Sequence, residues 1–553
     1  MSYLEVPRLH FSGIFIANPS TINNDRQNYD PAITDPSPGW NSNGNHYWQF
    51  KNCTVRSAVD ATGKLLKATT DDPLIGAAVA STDSPSPAKL VDLDTDQQMV
   101  SEVWGLQVKV AISATDYFIG RFRVAPFDDI WGRLQNADPN AGDVAAGAYY
   151  QSVLDLVSWS DTTSSPLLQA LKQASPAALS IKFVVDRFQG SSDQPDFTQG
   201  RIVGTIGPQW ADEPPHFVIG RLLRPHIFDK THAAPSSPLN YAPTRVDAIR
   251  KRLLLDLGNS IPTTQSGAPP KLGKLQAAII PANAPPVILG NIDYSQNAYE
   301  TSACIQEFSL TDEQVGQIAK NPVGVVQVTP AKGGNPASTA VLLQENPAGA
   351  YANVTQFVYR MNPGDVVGVE LIATQFGAPA ANQTITLKYE TSQFSPANNK
   401  PRTALTFPAS VKTGHDGRAA FCMTAGDPGN PRKFIDGQVY GVRFSWAKDN
   451  DPQFPRDPNK FISVRVFDSY DKAPTWENLQ PILQQYAKLY PFMVGKMNIA
   501  DLPTIQSNIQ ALQRVLNMPI NDPRYMPVTR DMSRDKRQLL IEWLNLGAPG
   551  PAS

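Results

Sequence analysis

Proline placement constrains this chain more than any other feature: there are 49 prolines, with clusters such as those at 83–89, 233–243, 330–337 and 449–460. Proline lacks an N–H and fixes φ, so no long regular element passes through such a cluster. Between the clusters lie short runs rich in β-branched and aromatic residues, at 49–59, 103–112, 178–185, 201–206 and 217–223. Bounded by turn formers, these runs predict strands, and the whole predicts a mainly β, multidomain protein of antiparallel sheets with long loops. At 553 residues the chain exceeds what one hydrophobic core serves, and about three to four domains are expected.

The expected order is a β-rich N-terminal domain over 1–230 with a helical insertion at 126–175, then a β-rich continuation over 231–360. In the insertion, Val144, Tyr149, Val153, Leu154 and Val157 approximate helical spacing, and Ser165-Pro166 supplies an N-cap and N1 for a helix over 167–174. Thr311 and Gln314 have the form of a capping box. From 361 to 470, strand candidates at 366–373, 383–389, 404–407, 418–424 and 438–444 have the spacing of an immunoglobulin-like β-sandwich. The turn Gly414-His415-Asp416-Gly417 before Arg418 resembles a loop of bacterial immunoglobulin-like modules.

The period then changes. Leu479, Ile482, Leu483, Tyr486, Leu489 and Tyr490 form one helical stripe. A second runs from Leu502 through Ile505, Ile509, Leu512 and Val515 to Leu516, and Leu539, Leu540, Trp543 and Leu544 form a third, giving a C-terminal helical segment over 471–546. The small residues of 547–553 read as a disordered tail.

Charge excludes some functions. Lys plus Arg total 48 against 50 Asp plus Glu, so no field steers the chain to nucleic acid. No run has the roughly 18 apolar residues of a membrane span, and the N-terminus lacks the apolar core of a signal peptide. Cys53, Cys304 and Cys422 are far apart and odd in number, which fits free thiols in a reducing compartment, so a cytoplasmic location is expected.

No complete catalytic constellation is legible: there is no G-x-S-x-G, no C-x-x-C and no G-x-G-x-x-G opening a helix. Gly267 and Gly273-Lys274 miss the phosphate-loop spacing. Glu213-Pro214-Pro215-His216 has the letters of a di-iron ligand pair, but two prolines keep it off a helix. Asp92, Asp94 and Asp96 alternate as Ca²⁺-loop carboxylates do, although Gln97 and Val103 stand where that loop needs Gly and Glu; turn caps before the strand at Val103 are the plainer reading. Phe11, Phe15, Trp40, Tyr47, Trp48 and Phe50 interleave with Arg8, His10 and His46, a mixture that builds either an aromatic ligand pocket or one face of a packed strand.

Several strings, taken in order, resemble one family. Pro7-Arg8-Leu9-His10-Phe11, Gly44-Asn45 leading to Cys53-Thr54-Val55, Val103-Trp104-Gly105 after the Asp92 run, and Gly220-Arg221-Leu222-Leu223-Arg224-Pro225 are similar to the N-terminal half of the violacein-pathway iminophenylpyruvate-dimer synthases and chromopyrrolate synthases. Tyr486, Tyr490-Pro491-Phe492-Met493, Lys496, Tyr525-Met526-Pro527, Thr529-Arg530 and Ser533 continue the match. In that family a ferritin-like domain with E-x-x-H helices follows this half and carries the metal chemistry. Its iron ligands have no counterpart among these residues, so the resemblance implies a fold and a docking role.

The expected function is a non-catalytic binding or scaffold subunit. It would dock a separate ferritin-like partner, or a copy of itself, through the C-terminal helices. The alternatives are a stand-alone secondary-metabolism enzyme or aromatic small-molecule binder that uses Arg8, His10, Tyr47, Trp48, Arg221 and Arg224, and a toxin-like interaction protein. No cofactor is expected beyond a cation at Asp92, Asp94 and Asp96.

Overall fold

The structure is a computed structural model that describes residues 3–35, 41–83, 86–138, 142–227, 237–329, 338–393 and 402–551. Trp40, His232 and the proline run 330–337 lie outside these residues. With 38% of residues in strands against 16% in helices, the chain is mainly β, and its sheets are antiparallel apart from the pairing of Val358–Met361 with Ile462–Val466.

Eight strands close on themselves as an antiparallel barrel. Arg8–Asn18 pairs with Gln199–Pro208, then follow Leu179–Asp186, Ala146–Trp159, Tyr117–Phe122, Gln107–Ala111, Ala78–Ser81 and Tyr47–Val59, which returns to Arg8–Asn18. Closure leaves these strands no free edge, and an eight-stranded barrel is just wide enough for side chains to fill. Phe11, Phe15, Trp48, Phe50, Phe122, Tyr150 and Phe183 belong to the core that fills it, joined by Leu167, Leu168 and Leu171 of the helix Pro166–Ala174. Gly204 and Gly200 sit opposite Phe11 and Phe15 in the register, and a Cβ at either would come within 2.4 Å of the ring. Glycine at those two positions is what lets the rings lie flat on the sheet.

Part of the expected helical insertion is a barrel strand. Ala146–Trp159 is extended, and residues 147–154 are buried on both faces because the outer face is covered by the next domain. Two-sided burial erases the period-2 alternation that marks a strand, which is why the apolar spacing looked helical. The helix over Pro166–Ala174 forms as expected, with Ser165 accepting from the Leu168 N–H.

A curled eight-stranded sheet follows, in the order Val287–Asn291, Lys274–Ile279, Val323–Thr329, Ser338–Gln344, Arg221–Pro225, Ala242–Asp247, Arg252–Asp256, Ile305–Ser309. Thr311 and Gln314 form the reciprocal capping box at the helix Asp312–Ile318. Two facing five-stranded sheets then draw on strands from Ala350 to Val466 and share one core of alternating residues, including Leu371, Phe421, Val442, Phe444 and Val464. All five expected sandwich strands are present.

The C-terminal stripes pack mostly within the chain. Trp476–Leu489, Leu502–Ser507, Ile509–Leu516 and Arg534–Asn545 pack on one another through Leu479, Leu483, Ile505, Leu516, Trp543 and Leu544. The far end of the first helix packs through Tyr486 and Leu489 on Tyr29 and Ile435. Much of the apolar faces expected to recruit a partner is therefore packed within the chain, while Ile482, Leu502, Ile509, Leu512 and Val515 stay half-buried. Over 547–551 the expected tail is ordered against the helices, residues 552–553 lying outside the described ones: Gly547, just past the C-cap Leu546, is left-handed (φ +84°), and Ala548 is fully buried. The carbonyls of Ala548 and Pro549 accept from Gln506 and Trp543. Among the described residues no helix is long and apolar enough to cross a membrane.

Candidate functional site

The aromatic run near the N-terminus is barrel core, and its neighbours face the other way. Trp48 is 1% exposed and packs against Phe15, Phe50 and Phe183 with ring centroids 5.1–6.4 Å apart. Tyr47 precedes it on the strand and is half-buried on the opposite face. His10 is buried on the barrel's outer face, where its Nδ1 is 2.8 Å from the Thr205 hydroxyl. Burial, followed by the Arg8 charge, holds its pKa well below the usual imidazole value, so it is a neutral core group. Arg8 donates to the Leu4 carbonyl and to Glu307, far from Tyr47. The pocket expected from Arg8, His10, Tyr47 and Trp48 does not form, because strand alternation sends neighbouring side chains to opposite faces.

The Asp92 run is a hairpin between strands Ala88–Asp94 and Gln97–Trp104, and it works as a clasp. Asp94 accepts both amino groups of Arg432 at 2.7 and 2.9 Å, with Arg465 at 3.2 Å. Burial would raise the Asp94 carboxyl, but the two guanidinium groups overcome it and hold it well below the usual range. Asp96 lies 3.1 Å from Arg432 and 3.4 Å from Arg26. The Asp92 carboxyl accepts from the Ser101 hydroxyl, and burial raises it to about 7. Guanidinium groups from the sandwich thus take the places expected for Ca²⁺. Among the described residues no group of three or more His, Cys, Asp or Glu is arranged to hold a metal.

Arg221 and Arg224 do reach a cavity, at the junction of the barrel, the curled sheet and the sandwich. Arg221 is buried and bound to Glu345 at 2.8 Å, and Arg224 is paired with Asp449. Asp128, Asp129, Tyr149, Asp457 and Lys460 complete the polar wall. Lys460 and the Tyr149 hydroxyl both donate to Asp128, while Asn240 and Asn259 donate to Asp129 at 2.6 and 2.9 Å. Burial, with Asp457 and then Asp128 nearby, raises the Asp129 carboxyl to about 8. The free space is only about 50 Å³, room for a water or two and not for an organic ligand. Chemically this is a protonated, hydrogen-bonded seam.

The large opening lies elsewhere. A groove of about 1200 Å³ runs between the barrel, the sandwich and the segment 519–523. Its walls carry Trp104, Pro126, Phe357 and Tyr359, with Leu156 and Ile520 exposed. Its charged side chains are mostly paired: Arg123 with Asp155, Arg360 with Glu102, and Arg418 with Glu370. The groove exceeds the 300–1,000 Å³ typical of small-ligand sites, which matches a segment of protein better than a metabolite.

No family model matches the chain, and no curated protein matches it. Among solved structures, the S-layer protein rSbsC(31-844) aligns with 72% of this chain and 51% of its own, at 7% identity and a TM-score of 0.16. Domains 1-6 of surface layer protein SbsC align with 71% and 50%, at 8% identity and a TM-score of 0.15. This chain spans about half the length of either, and likeness at that level carries no argument.

Two positions escaped the sequence reading. Asp531 accepts from Tyr486, Tyr490 and Thr529 at 2.9, 3.1 and 2.6 Å, so it gathers residues of the C-terminal strings around one carboxylate. Its place between Arg530 and Ser533 was a usable signal. Leu156 gave none, because it lies between Leu154 and Val157 in an apolar stretch whose composition does not mark one residue as exposed.

Proposed function

We propose that this chain is a non-catalytic binding subunit that docks a second protein in the groove beside Leu156. The resemblance to the dimer synthases makes a ferritin-like protein the partner of choice. The observation that carries the reading is Leu156 itself. A bulge in the pairing with Tyr117–Phe122 falls between Asp155 and Ser158, and Leu156 takes φ +51° there while 72% exposed. Among the described residues it is the one exposed large hydrophobic with left-handed backbone. Left-handed backbone costs an L-residue roughly 1–2 kcal/mol, and an exposed leucine gains nothing in return within the free chain. An apolar anchor presented on a rim is what a partner's pocket uses.

Replacing Leu156 by Asn, which tolerates left-handed backbone, separates the two roles. Binding of the ferritin-like partner should weaken by about tenfold or more while the melting temperature holds or rises. A variant that binds as before, or a native chain that sediments alone in the presence of every ferritin-like protein of its host, overturns the reading. Self-association abolished by the same substitution would replace the partner with a second copy.

A further inference from the structure

A second cavity, of about 300 Å³, opens on the seam between the N-terminal segment and the curled sheet. Its volume is at the lower end of small-ligand sites. Three guanidinium groups, from Arg8, Arg250 and Arg252, line it together with three carboxylates, from Glu5, Asp247 and Glu307. The charges interleave: Arg8 and Arg252 meet Glu307 at 3.1 and 3.3 Å, and Arg250 meets Glu5 at 3.0 Å and Asp247 at 3.3 Å. Leu4, Val6 and Leu254 supply an apolar patch. The Arg8 side chain is 3% exposed, with its terminal nitrogens on the Leu4 carbonyl and Glu307, so Arg252, 36% exposed, is the guanidinium open to a guest.

We propose that this cavity takes a small zwitterion of the free α-amino acid class. Charge balance decides between guests. The wall charges are paired with one another, and Glu5 is held as well by Arg245 at 2.8 Å from behind the wall, so a guest of net charge brings a charge that nothing opposes, whereas a zwitterion meets both signs. The guest carboxylate has Arg8 and Arg252 as donors, and the ammonium has Glu5 and Asp247 as acceptors. This site is separate from the groove and stands or falls independently of it.

Calorimetric titration of the full chain with glycine, L-alanine and L-glutamate tests the assignment, with acetate and methylammonium as the two half-probes. Saturable binding of an amino acid, with neither half-probe binding comparably, is the expected result. Arg252 is 36% exposed, so Arg252→Gln should shift the melting temperature little and weaken binding by about tenfold or more, as loss of a charged hydrogen bond does. Asp247→Asn, which removes an acceptor of the ammonium, should act alike. The proposal is overturned by the absence of saturable heat with all three amino acids. Acetate that binds as tightly as they do, or both variants binding like the native chain, overturns it equally.

Discussion

The inside of the barrel and the seams between the bodies are held by different means. Inside, aromatic rings pack on one another: Phe183 alone contacts Trp48, Phe50, Phe122 and Tyr150, with centroids 5.1–5.8 Å away. At the seams the large buried side chains are Arg133, Arg465 and Arg530, each nearly devoid of exposed surface. Arg133 and Arg201 converge on Asp186 at 2.9 and 2.6 Å, and Lys182 and the Tyr3 hydroxyl converge on Asp256 at 2.5 and 2.6 Å. Ring packing is non-directional and tolerates exchange of similar volumes, whereas a buried ion pair fixes orientation and becomes a liability once one partner is lost. Packing therefore builds each body and, through Tyr149, Val184 and Val203, part of the seam, where the buried charges add orientation.

The contrast is broken most directly at Asp94. Asp94→Ala leaves Arg432 and Arg465 buried without their shared carboxylate and should cost about 3–5 kcal/mol in urea unfolding at neutral pH. Phe183→Ala, which opens a cavity in the barrel, should cost a similar amount, about 3–5 kcal/mol. pH then separates the two. The native Asp94 carboxyl is held below its unfolded value, so its contribution is present above about pH 4 and is lost as pH falls through the folded value. The Asp94→Ala deficit should thus shrink in acid, while the Phe183→Ala deficit should stay constant. Equal acid response in both variants would mean that the seam and the core are not held differently.

The same distinction explains what the sequence revealed. Strands whose outer face meets solvent alternate, as 418–424 does, and were legible from period alone. Ala146–Trp159 is buried on both sides and lost its period, so helical spacing won by default. Arg221 and Arg224 stood out within the string 220–225 and Asp94 within the alternating carboxylates, but their partners lie 124, 225 and 338 residues away, and no local pattern encodes such pairings. The aromatic run was ambiguous for a simpler reason: the same rings suit a ligand pocket or a filled barrel, and only closure of the sheet decides between them.

At the three-body junction the sign of the pH effect reverses. Asp129, raised to about 8, binds a proton in the folded chain that the unfolded chain releases near pH 4, so stability falls as pH rises from about 4 to 8. Asp128, Asp457 and Lys460 line the same cavity, and the Asn240 and Asn259 amides donate to the Asp129 carboxyl. Asp129→Asn keeps a neutral hydrogen-bonding group there and should raise the melting temperature at pH 8. Near pH 5, where little of the pH-dependent cost has accumulated, the gain should be much smaller. A gain of the same size at both pH values would assign the effect to packing instead.

The smallest expected effect belongs to the groove rim, which is held by neither device. In Ala146–Trp159 the side chain of Val153 is 2% exposed, whereas Leu156, three residues on, faces solvent from a left-handed bulge. Deleting the Leu156 side chain removes no core contact, and Asn relieves backbone strain, so the free chain should gain up to about 1 kcal/mol. Differential scanning calorimetry of the isolated chain reads this directly. A loss comparable to that of Phe183→Ala would show that Leu156 belongs to the barrel after all, and would take the partner-facing role of the rim with it.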